Sequence, residues 1–208
     1  MQSICLFDAN LTASLLSPYD GVMSTPIKFY TGVGDDGTTG LLGEGRVKKY
    51  DPQPDAYGVV DEAQAALGVA RAAMTDADAA ADVLQTQRDL YQLMAEMAAT
   101  KEAAAQFRAI DAAKVTWLEE RTDYYGSKIT LPREFTVSGD TLAGAFLDLA
   151  RTIVRRAERL AVKLVDDGLL ENREIIRYLN RLSALCFVLS RYEDARSGKS
   201  GVTLAKGN

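Results

Sequence analysis

Apolar residues recur in steps of three and four from about residue 55 onward, a spacing that places side chains on one face of an α-helix. Thr75 or Asp76 is expected to cap the second helix and Asp111 the third, because short oxygen-bearing side chains accept hydrogen bonds from free backbone N–H groups. Gly126 and Gly168 are expected to end the third and fourth helices. The predicted apolar positions of these four helices are Val60, Ala63, Leu67, Ala70 and Met74; Val83, Leu84, Leu90, Tyr91, Met94 and Met97; Val115, Leu118, Tyr124 and Tyr125; and Leu142, Ala145, Leu149, Ile153, Leu160 and Leu164.

The last predicted helix has the most regular pattern. Its apolar residues alternate steps of four and three, as in a helix that packs in a bundle: Ile175, Leu179, Leu182, Cys186 and Leu189. The fold is therefore predicted to be all-α, an up-down bundle of about five helices, with too few candidate strands for a sheet. Residues 27–194 are the expected domain, with an extension over residues 1–26 and a flexible polar tail over residues 195–208.

A glycine-rich segment precedes the helices. Residues 27–45 contain six glycines, which predicts a loop, closed by Pro52 and Pro54. Gly32-Val-Gly-Asp-Asp-Gly37 matches the GxGxxG dinucleotide fingerprint, but no strand–helix–strand unit is predicted around it, so that function is rejected. The Gly-Lys-Ser/Thr of a P-loop is also missing.

The same segment has residue types that suit a phosphate site. Glycine lets backbone N–H groups form an anion-binding concavity, threonine hydroxyls add donors, and aspartates can hold Mg²⁺. The alternative is a solvated connecting loop, and composition leaves both open. The residues concerned are Thr31, Asp35, Asp36, Thr38, Thr39, Arg46, Lys48 and Lys49.

Composition excludes several classes of protein, binding partner and catalytic site. The 208 residues are 47% hydrophobic and 25% charged, which excludes a disordered chain, and no apolar run is long enough for a membrane span. A net charge of −5 argues against nucleic acid as a partner. The absence of histidine excludes Ser-His-Asp catalysis and histidine metal sites, so an enzyme here needs a reactive substrate or cofactor. Cys5 and Cys186 have no metal-site spacing, and a reduced cytoplasmic protein is expected.

Three arginines, Arg151, Arg155 and Arg159, line one face of the fourth predicted helix at i, i+4 and i+8. They repel one another unless an anion or carboxylates neutralise them, and the guanidinium fork binds two phosphate oxygens at once. Glu158 could instead pair with Arg155 on a solvated face. Asn180 lies beside the seam of the last helix and needs partners, either a neighbouring helix end or a ligand.

These segments, in this order, resemble the PduO-type ATP:cob(I)alamin adenosyltransferases over about residues 28–193. The resemblance implies a five-helix, ferritin-like bundle that forms a homotrimer with active sites between subunits. It implies transfer of the 5′-deoxyadenosyl group of ATP to cob(I)alamin with release of triphosphate, in which Co(I) is the nucleophile and no protein base is needed. The matching stretches are residues 30–43, 56–62, 149–159 and 177–183.

The resemblance also implies roles for single residues. Arg155, Glu158 and Asn180 are implied to contact the nucleotide or its Mg²⁺, with Glu158 as the metal ligand. Asp61 and Arg151 match a pair that bridges two subunits. The ATP phosphates are implied to lie against Thr31, Gly32, Gly34, Asp35, Gly37, Thr38, Thr39 and Lys49.

Phe135 matches a phenylalanine that covers the lower face of cobalt in the family, displaces the axial ligand and makes Co(II) easier to reduce. Without the family, core packing would be the simpler interpretation of this side chain. The stretch that follows departs from the family, because residues 136–140 replace an apolar-Leu-Pro-Gly-Gly sequence. Asp148 also stands where a histidine is common, and Ala184 where an aspartate is usual. The ATP half is thus predicted to follow the family more closely than the corrin half.

The implied protein partners are a cobalamin-dependent mutase and a corrinoid reductase. A second hypothesis is a non-catalytic relative that binds cobalamin or ATP as a carrier, store or sensor, motivated by the altered loop after Phe135. A third is a helical interaction module that does not bind ATP.

Overall fold

The computed structural model describes residues 28–198 and 202–206. The chain divides into two units, Met1–Val33 and Gly34–Asn208, and all regular elements lie in the second. The predicted extension over residues 1–26 lies outside the described residues. The elements are β1 (Thr38–Gly40), β2 (Arg46–Lys48), α1 (Pro52–Ala73), α2 (Ala77–Ala98), the short α3 (Ala104–Phe107), α4 (Ala112–Gly126), α5 (Leu142–Asp166) and α6 (Glu174–Arg196). The prediction of a helical protein with five long helices is confirmed.

The helix ends follow the predicted signals closely. The Asp76 carboxylate accepts from the N–H groups of Asp78 and Ala79 at the start of α2, and Asp111 accepts from Lys114 N–H at the start of α4. Pro52 begins α1 rather than closing the loop, because proline needs no hydrogen-bond partner in the first helical turn and its fixed φ suits a helix start.

Five helices enclose one hydrophobic core. Helix α1 packs against α2 and α5, α5 packs against α6, and α6 packs against α4. An ion pair between Arg121 Nε and the Asp82 carboxylate, at 2.9 Å, links α4 to α2. All five predicted apolar residues of α6 are buried, which confirms its seam: Ile175, Leu179, Leu182, Cys186 and Leu189.

The predicted apolar stripe of α5 was mostly wrong. Of its residues only Leu164 is buried, whereas Leu142 is 67% and Leu149 50% exposed. The buried face consists largely of smaller residues, because small side chains let α5 approach α1 closely. It contains Ala143, Leu147, Ala150, Val154, Ala157, Ala161 and Leu164. The larger apolar residues predicted for this helix therefore form a second apolar stripe of α5. Part of this stripe lies at the edge of the core and part of it is exposed to solvent.

The expectation that the glycine-rich segment contains no sheet was also wrong. Strands β1 and β2 pair antiparallel, with Thr39 opposite Val47. The hairpin is tied to the end of α2, since Leu42 N–H donates to the Ala98 carbonyl at 2.8 Å and Thr100 N–H donates to the Leu42 carbonyl at 2.9 Å. Pairing satisfies the backbone groups that a glycine-rich chain leaves without side-chain cover.

The described part of the predicted tail contains some regular structure. Helix α6 continues to Arg196, and Leu204 forms an isolated antiparallel bridge with Thr136. Residues 202–206 therefore lie beside the segment that joins α4 to α5. Among the helices of the described residues, none combines the length and apolarity that crossing a membrane requires.

Candidate nucleotide and corrin site

The glycine-rich hairpin begins with a tight turn. Gly37 N–H donates to the Gly34 carbonyl and Lys49 N–H donates to the Gly37 carbonyl, both at 3.0 Å. Gly34 has a φ of +100°, and a Cβ there would lie 2.8 Å from the Thr38 carbonyl oxygen and 3.4 Å from Lys49 Nζ. Only glycine suits this position. The turn thereby brings the Lys49 ammonium beside the glycine backbone.

Asp36, rather than Asp35, organises this turn. The Asp36 carboxylate accepts from Thr38 N–H at 2.9 Å and from the Thr38 hydroxyl at 2.8 Å. These bonds hold the pKa of Asp36 below its usual range. Arg46 Nε donates to Thr38 Oγ1 at 2.9 Å, which fixes the hydroxyl from the opposite strand. An aspartate two residues before a threonine is a recognisable turn signal, so Asp36 has a structural role besides the predicted one as a possible Mg²⁺ ligand.

The remaining residues of the predicted loop have separate surroundings. Burial raises the pKa of Tyr57 on α1, and the nearby Thr39 side chain opposes that rise. Asp35 is exposed in the turn. Thr31 and Gly32 belong to the first unit, where Thr31 Oγ1 accepts from Val33 N–H at 3.2 Å and Gly32 has a φ of +74°.

A polar chain crosses three helices at the other predicted part of the site. Asn180 Nδ2 on α6 donates to Glu158 Oε1 on α5 at 2.8 Å. Asn180 Oδ1 accepts from Arg181 Nη1 at 2.7 Å, and Arg181 Nε donates to Glu119 Oε1 on α4 at 2.7 Å. Both ends of the amide are therefore held by neighbouring side chains. The structure brings Glu158 and Asn180 together. Arg181 and Glu119 support them, and no role was predicted for either residue.

Arg155 lies one turn from Glu158 on α5 and is exposed. Its flanking residues Val154 and Ala157 are fully buried, so packing of the helix fixes the direction in which Arg155 points. The neighbouring Arg156 pairs with Glu62 of α1. Arg156 lies outside the predicted row of Arg151, Arg155 and Arg159. Within that row Arg155 faces solvent, and Arg159 Nη1 donates to the Arg155 carbonyl at 2.9 Å.

Arg151 contacts a carboxylate of its own helix. Arg151 Nε donates to Asp148 Oδ1 at 2.5 Å, and Asp148 also accepts from the Ser138 hydroxyl. Burial alone would raise the pKa of Asp148, but these two hydrogen bonds outweigh it and hold the pKa below its usual range. Asp61 is exposed on α1. Within one chain Arg151 is thus paired with Asp148, the residue that departs from the family pattern.

Phe135 lies outside the core. Its side chain is 89% exposed, so the simpler interpretation of core packing is wrong. Its backbone is held, because its carbonyl accepts from Ala205 N–H at 2.7 Å. A large aromatic side chain is thereby presented to solvent from a fixed backbone.

Comparisons with known proteins agree with one another. The sequence model of the family described as Cobalamin adenosyltransferase matches residues 29–193. The corrinoid adenosyltransferase of Bacillus subtilis is 34% identical over 176 residues, which is 83% of this chain and 89% of that protein. The corrinoid adenosyltransferase of Mycobacterium tuberculosis is 38% identical over 169 residues, covering 79% and 87%.

Solved structures agree as well. A phenylalanine-to-alanine variant of the PduO-type ATP:corrinoid adenosyltransferase from Lactobacillus reuteri, complexed with cobalamin and ATP, superimposes with a TM-score of 0.79 at 28% identity. The match covers 86% of this chain and 100% of that one. Together with the sequence match over most of the chain, this similarity shows that the chain belongs to the cobalamin adenosyltransferase family.

Proposed function

We propose that this protein transfers the 5′-deoxyadenosyl group of ATP to the cobalt of cob(I)alamin and releases triphosphate. The observation that carries the proposal is the solvent-facing Arg155 beside the Glu158–Asn180 pair, on a chain of this family. This arrangement offers a cation, a carboxylate and an amide at one place on the α5–α6 surface, as a magnesium–triphosphate group requires.

The reaction needs no protein base. The electron pair of Co(I) forms the bond to C5′ while the C5′–O bond breaks, and that bond's electron pair leaves with the triphosphate. No proton moves, which agrees with a chain that contains no histidine. The protein contributes by orienting the two substrates, excluding water and neutralising the charge that develops on the leaving group. Arg155 is placed for the last role.

The hairpin would hold the rest of the triphosphate. The Lys49 ammonium lies beside Gly34, and the Thr38 hydroxyl is oriented by Asp36 and Arg46. By motif position, Asp35, Gly37 and Thr39 belong to the same ATP loop, and the motif residues Thr31 and Gly32 precede it in the sequence. Backbone N–H groups of such a turn can bind phosphate oxygens without desolvating a protein charge.

Glu158 is the candidate Mg²⁺ ligand. Within residues 28–198 and 202–206, no three His, Cys, Asp or Glu side chains converge as a metal site. Mg²⁺ is commonly held by one or two carboxylates together with substrate phosphates. Because Asn180 fixes one oxygen of Glu158 and hence the orientation of its carboxylate, the residues present suit that arrangement. Magnesium bound there would neutralise phosphate charge.

Phe135 is the candidate corrin contact. An exposed aromatic ring on a fixed backbone can cover the lower face of the corrin and exclude an axial ligand from cobalt. Four-coordinate Co(II) is easier to reduce, so this contact would favour formation of the Co(I) nucleophile.

Assembly as a homotrimer, with sites between subunits, is part of the proposal. The second apolar stripe of α5, in which Leu142 and Leu149 are exposed, is a surface suited to a second copy of the chain. In such an assembly Asp61 would approach Arg151 of a neighbouring subunit and compete with Asp148 for it.

The wider setting follows from the chemistry. A corrinoid reductase would supply Co(I), and a cobalamin-dependent mutase would receive the product. We place both in the cytoplasm, where a reduced corrinoid is maintained most readily.

The test is an anaerobic absorbance assay with purified protein, Mg-ATP and chemically reduced cob(I)alamin. We expect the adenosylcobalamin spectrum to appear at a rate proportional to protein concentration. Magnesium-dependent ATP binding without turnover would instead support the carrier or sensor hypothesis, which the altered loop at residues 136–140 motivates. A chain that binds no ATP would contradict both and leave a helical interaction module.

A further inference from the structure

The segment at residues 202–206 pairs with the loop that carries Phe135. Ala205 N–H donates to the Phe135 carbonyl at 2.7 Å, and Val137 N–H donates to the Thr203 carbonyl at 2.8 Å. These two bonds flank the Thr136–Leu204 bridge on both sides. The C-terminal segment therefore pairs in antiparallel orientation with the loop that carries Phe135.

This pairing fixes the direction of the Phe135 side chain. Successive side chains of an extended strand point to opposite faces, so Phe135 and Thr136 must diverge. Thr136 points toward the bundle, because its Oγ1 accepts from Arg191 Nη1 at 3.2 Å. Arg191 is only 3% exposed and is held by Ser190 and Asp194 of α6. Phe135 is consequently presented away from the bundle, where its ring is exposed.

A second contact fastens the segment near the end of the loop. Thr203 N–H donates to Asp140 Oδ2 at 3.0 Å, and the Thr203 hydroxyl donates to Asp140 Oδ1 at 2.6 Å. Asp140 belongs to the stretch that departs from the family pattern. The altered loop is thus supported by hydrogen bonds from the C-terminus.

We propose that residues 203–205 are positioning residues for the corrin contact, holding Phe135 in the orientation that excludes the axial ligand from cobalt. This inference rests on the proposed role of Phe135. It assigns to the C-terminal segment a function in corrin chemistry, separate from ATP binding and from the stability of the bundle.

The test uses the full chain with Ala205→Pro, which removes the N–H that bonds to the Phe135 carbonyl, and Ala205→Ser as its matched control, which keeps it. Ala205 is exposed, so neither change disturbs the core. With cob(II)alamin and Mg-ATP, we expect the absorbance signature of four-coordinate cobalt to fall about fivefold in the proline variant and to stay unchanged in the serine variant. ATP affinity, measured by calorimetry, should stay unchanged in both.

A second pair of variants tests the Asp140 contact. Thr203→Val removes the hydroxyl and should lower the fraction of four-coordinate cobalt about twofold. Thr203→Ser keeps the hydroxyl and should have the same four-coordinate fraction as the wild type. A proline variant with an unchanged four-coordinate fraction would overturn the inference.

Phe135→Ala, measured in the same way, separates the two proposals. If that variant loses the signature and Ala205→Pro does not, the role of Phe135 stands and the positioning role of the segment fails. If Phe135→Ala keeps the signature, the proposed role of Phe135 fails, and the inference fails with it.

Discussion

The two halves of the candidate site are held in place by different means. Arg155 and Glu158 lie on α5 between fully buried residues, so their positions follow from packing of the hydrophobic core. The Phe135 side chain is exposed, and its segment lies outside the helices. Backbone pairing with residues 203–205 holds this segment, together with hydrogen bonds of Thr136 and Ser138 to side chains of α6 and α5. The ATP half should therefore respond to loss of single side chains, and the corrin half to loss of single backbone hydrogen bonds.

The largest expected effect is from Arg155→Ala. We propose that Arg155 stabilises the negative charge that develops on the leaving group, and loss of such a cation should lower kcat about 10²- to 10³-fold. Because Arg155 is exposed, the melting temperature should stay unchanged. Steady-state kinetics with Mg-ATP and cob(I)alamin measure the loss.

Lys163→Ala is the matched control, since Lys163 is a cation on the same helix and pairs at the surface with Asp167. It should retain full activity. Turnover by Arg155→Ala at the wild-type rate would show that Arg155 does not stabilise the leaving group.

Gly34→Ala should have the next largest effect. A Cβ would lie 2.8 Å from the Thr38 carbonyl oxygen at a φ of +100°, so the turn must open. We expect the KM for ATP to rise about tenfold, through strain of about 1–3 kcal/mol in the turn. Gly40→Ala is the control, because nothing lies within 4 Å of its Cβ position. Equal KM values for the two variants would show that the hairpin does not bind ATP.

Asp148→Asn tests the connection between the two halves. Asp148 joins Ser138, in the loop that carries Phe135, to Arg151 of α5, and the change removes its charge but keeps its shape. We expect corrin affinity to fall about threefold, since a partly solvated ion pair contributes modestly. ATP affinity should be unchanged, and an equal fall in both affinities would contradict the division of the site into two halves.

The pH dependence of Asp148 has a definite sign. Since its folded-state pKa lies below the usual range, ionised Asp148 stabilises the native state fully above about pH 4, and this contribution is lost as the pH falls further. The pH dependence of the free energy of unfolding should therefore be shallower below pH 4 in Asp148→Asn than in the wild type, and equal to it between pH 6 and 8. A difference that grows toward neutral pH would show that another group is responsible.

The smallest effect on activity is expected from Asp76→Ala, which should lower the stability of the helical bundle without altering the candidate site. Asp76 caps α2 and accepts from the Tyr192 hydroxyl on α6 at 2.8 Å. Loss of the cap should lower the free energy of unfolding by about 1 kcal/mol. Turnover at 25 °C should be unchanged, and thermal denaturation measures the difference. The control is Asp78→Ala, because Asp78 lies in the same first turn and is exposed.

The helix starts and the buried face of α6 could be predicted from the sequence, because residues close together along the chain determine them. The caps at Asp76 and Asp111 and the seam of α6 depend on residues within a few positions of one another. The family motifs also placed Glu158 and Asn180 at one site, and the structure brings these two side chains together.

Other features depended on contacts between distant residues. Periodicity alone could not distinguish the two apolar stripes of α5, since the choice of buried face depends on how closely α1 approaches. The contact between Arg151 and Asp148 likewise could not be predicted, because both side chains must adopt particular conformations on α5 and the family pattern implies a different partner for Arg151.

The sequence by itself therefore determined the helices and the chemistry that they carry, since helix periodicity, capping and motif spacing are short-range properties. The tertiary structure alone decided the orientation of Phe135, because residues 203–205 reach it from the far end of the chain through backbone N–H and carbonyl groups. Every residue except proline has the same backbone N–H and carbonyl groups. The pattern of side chains along the sequence therefore could not predict that pairing.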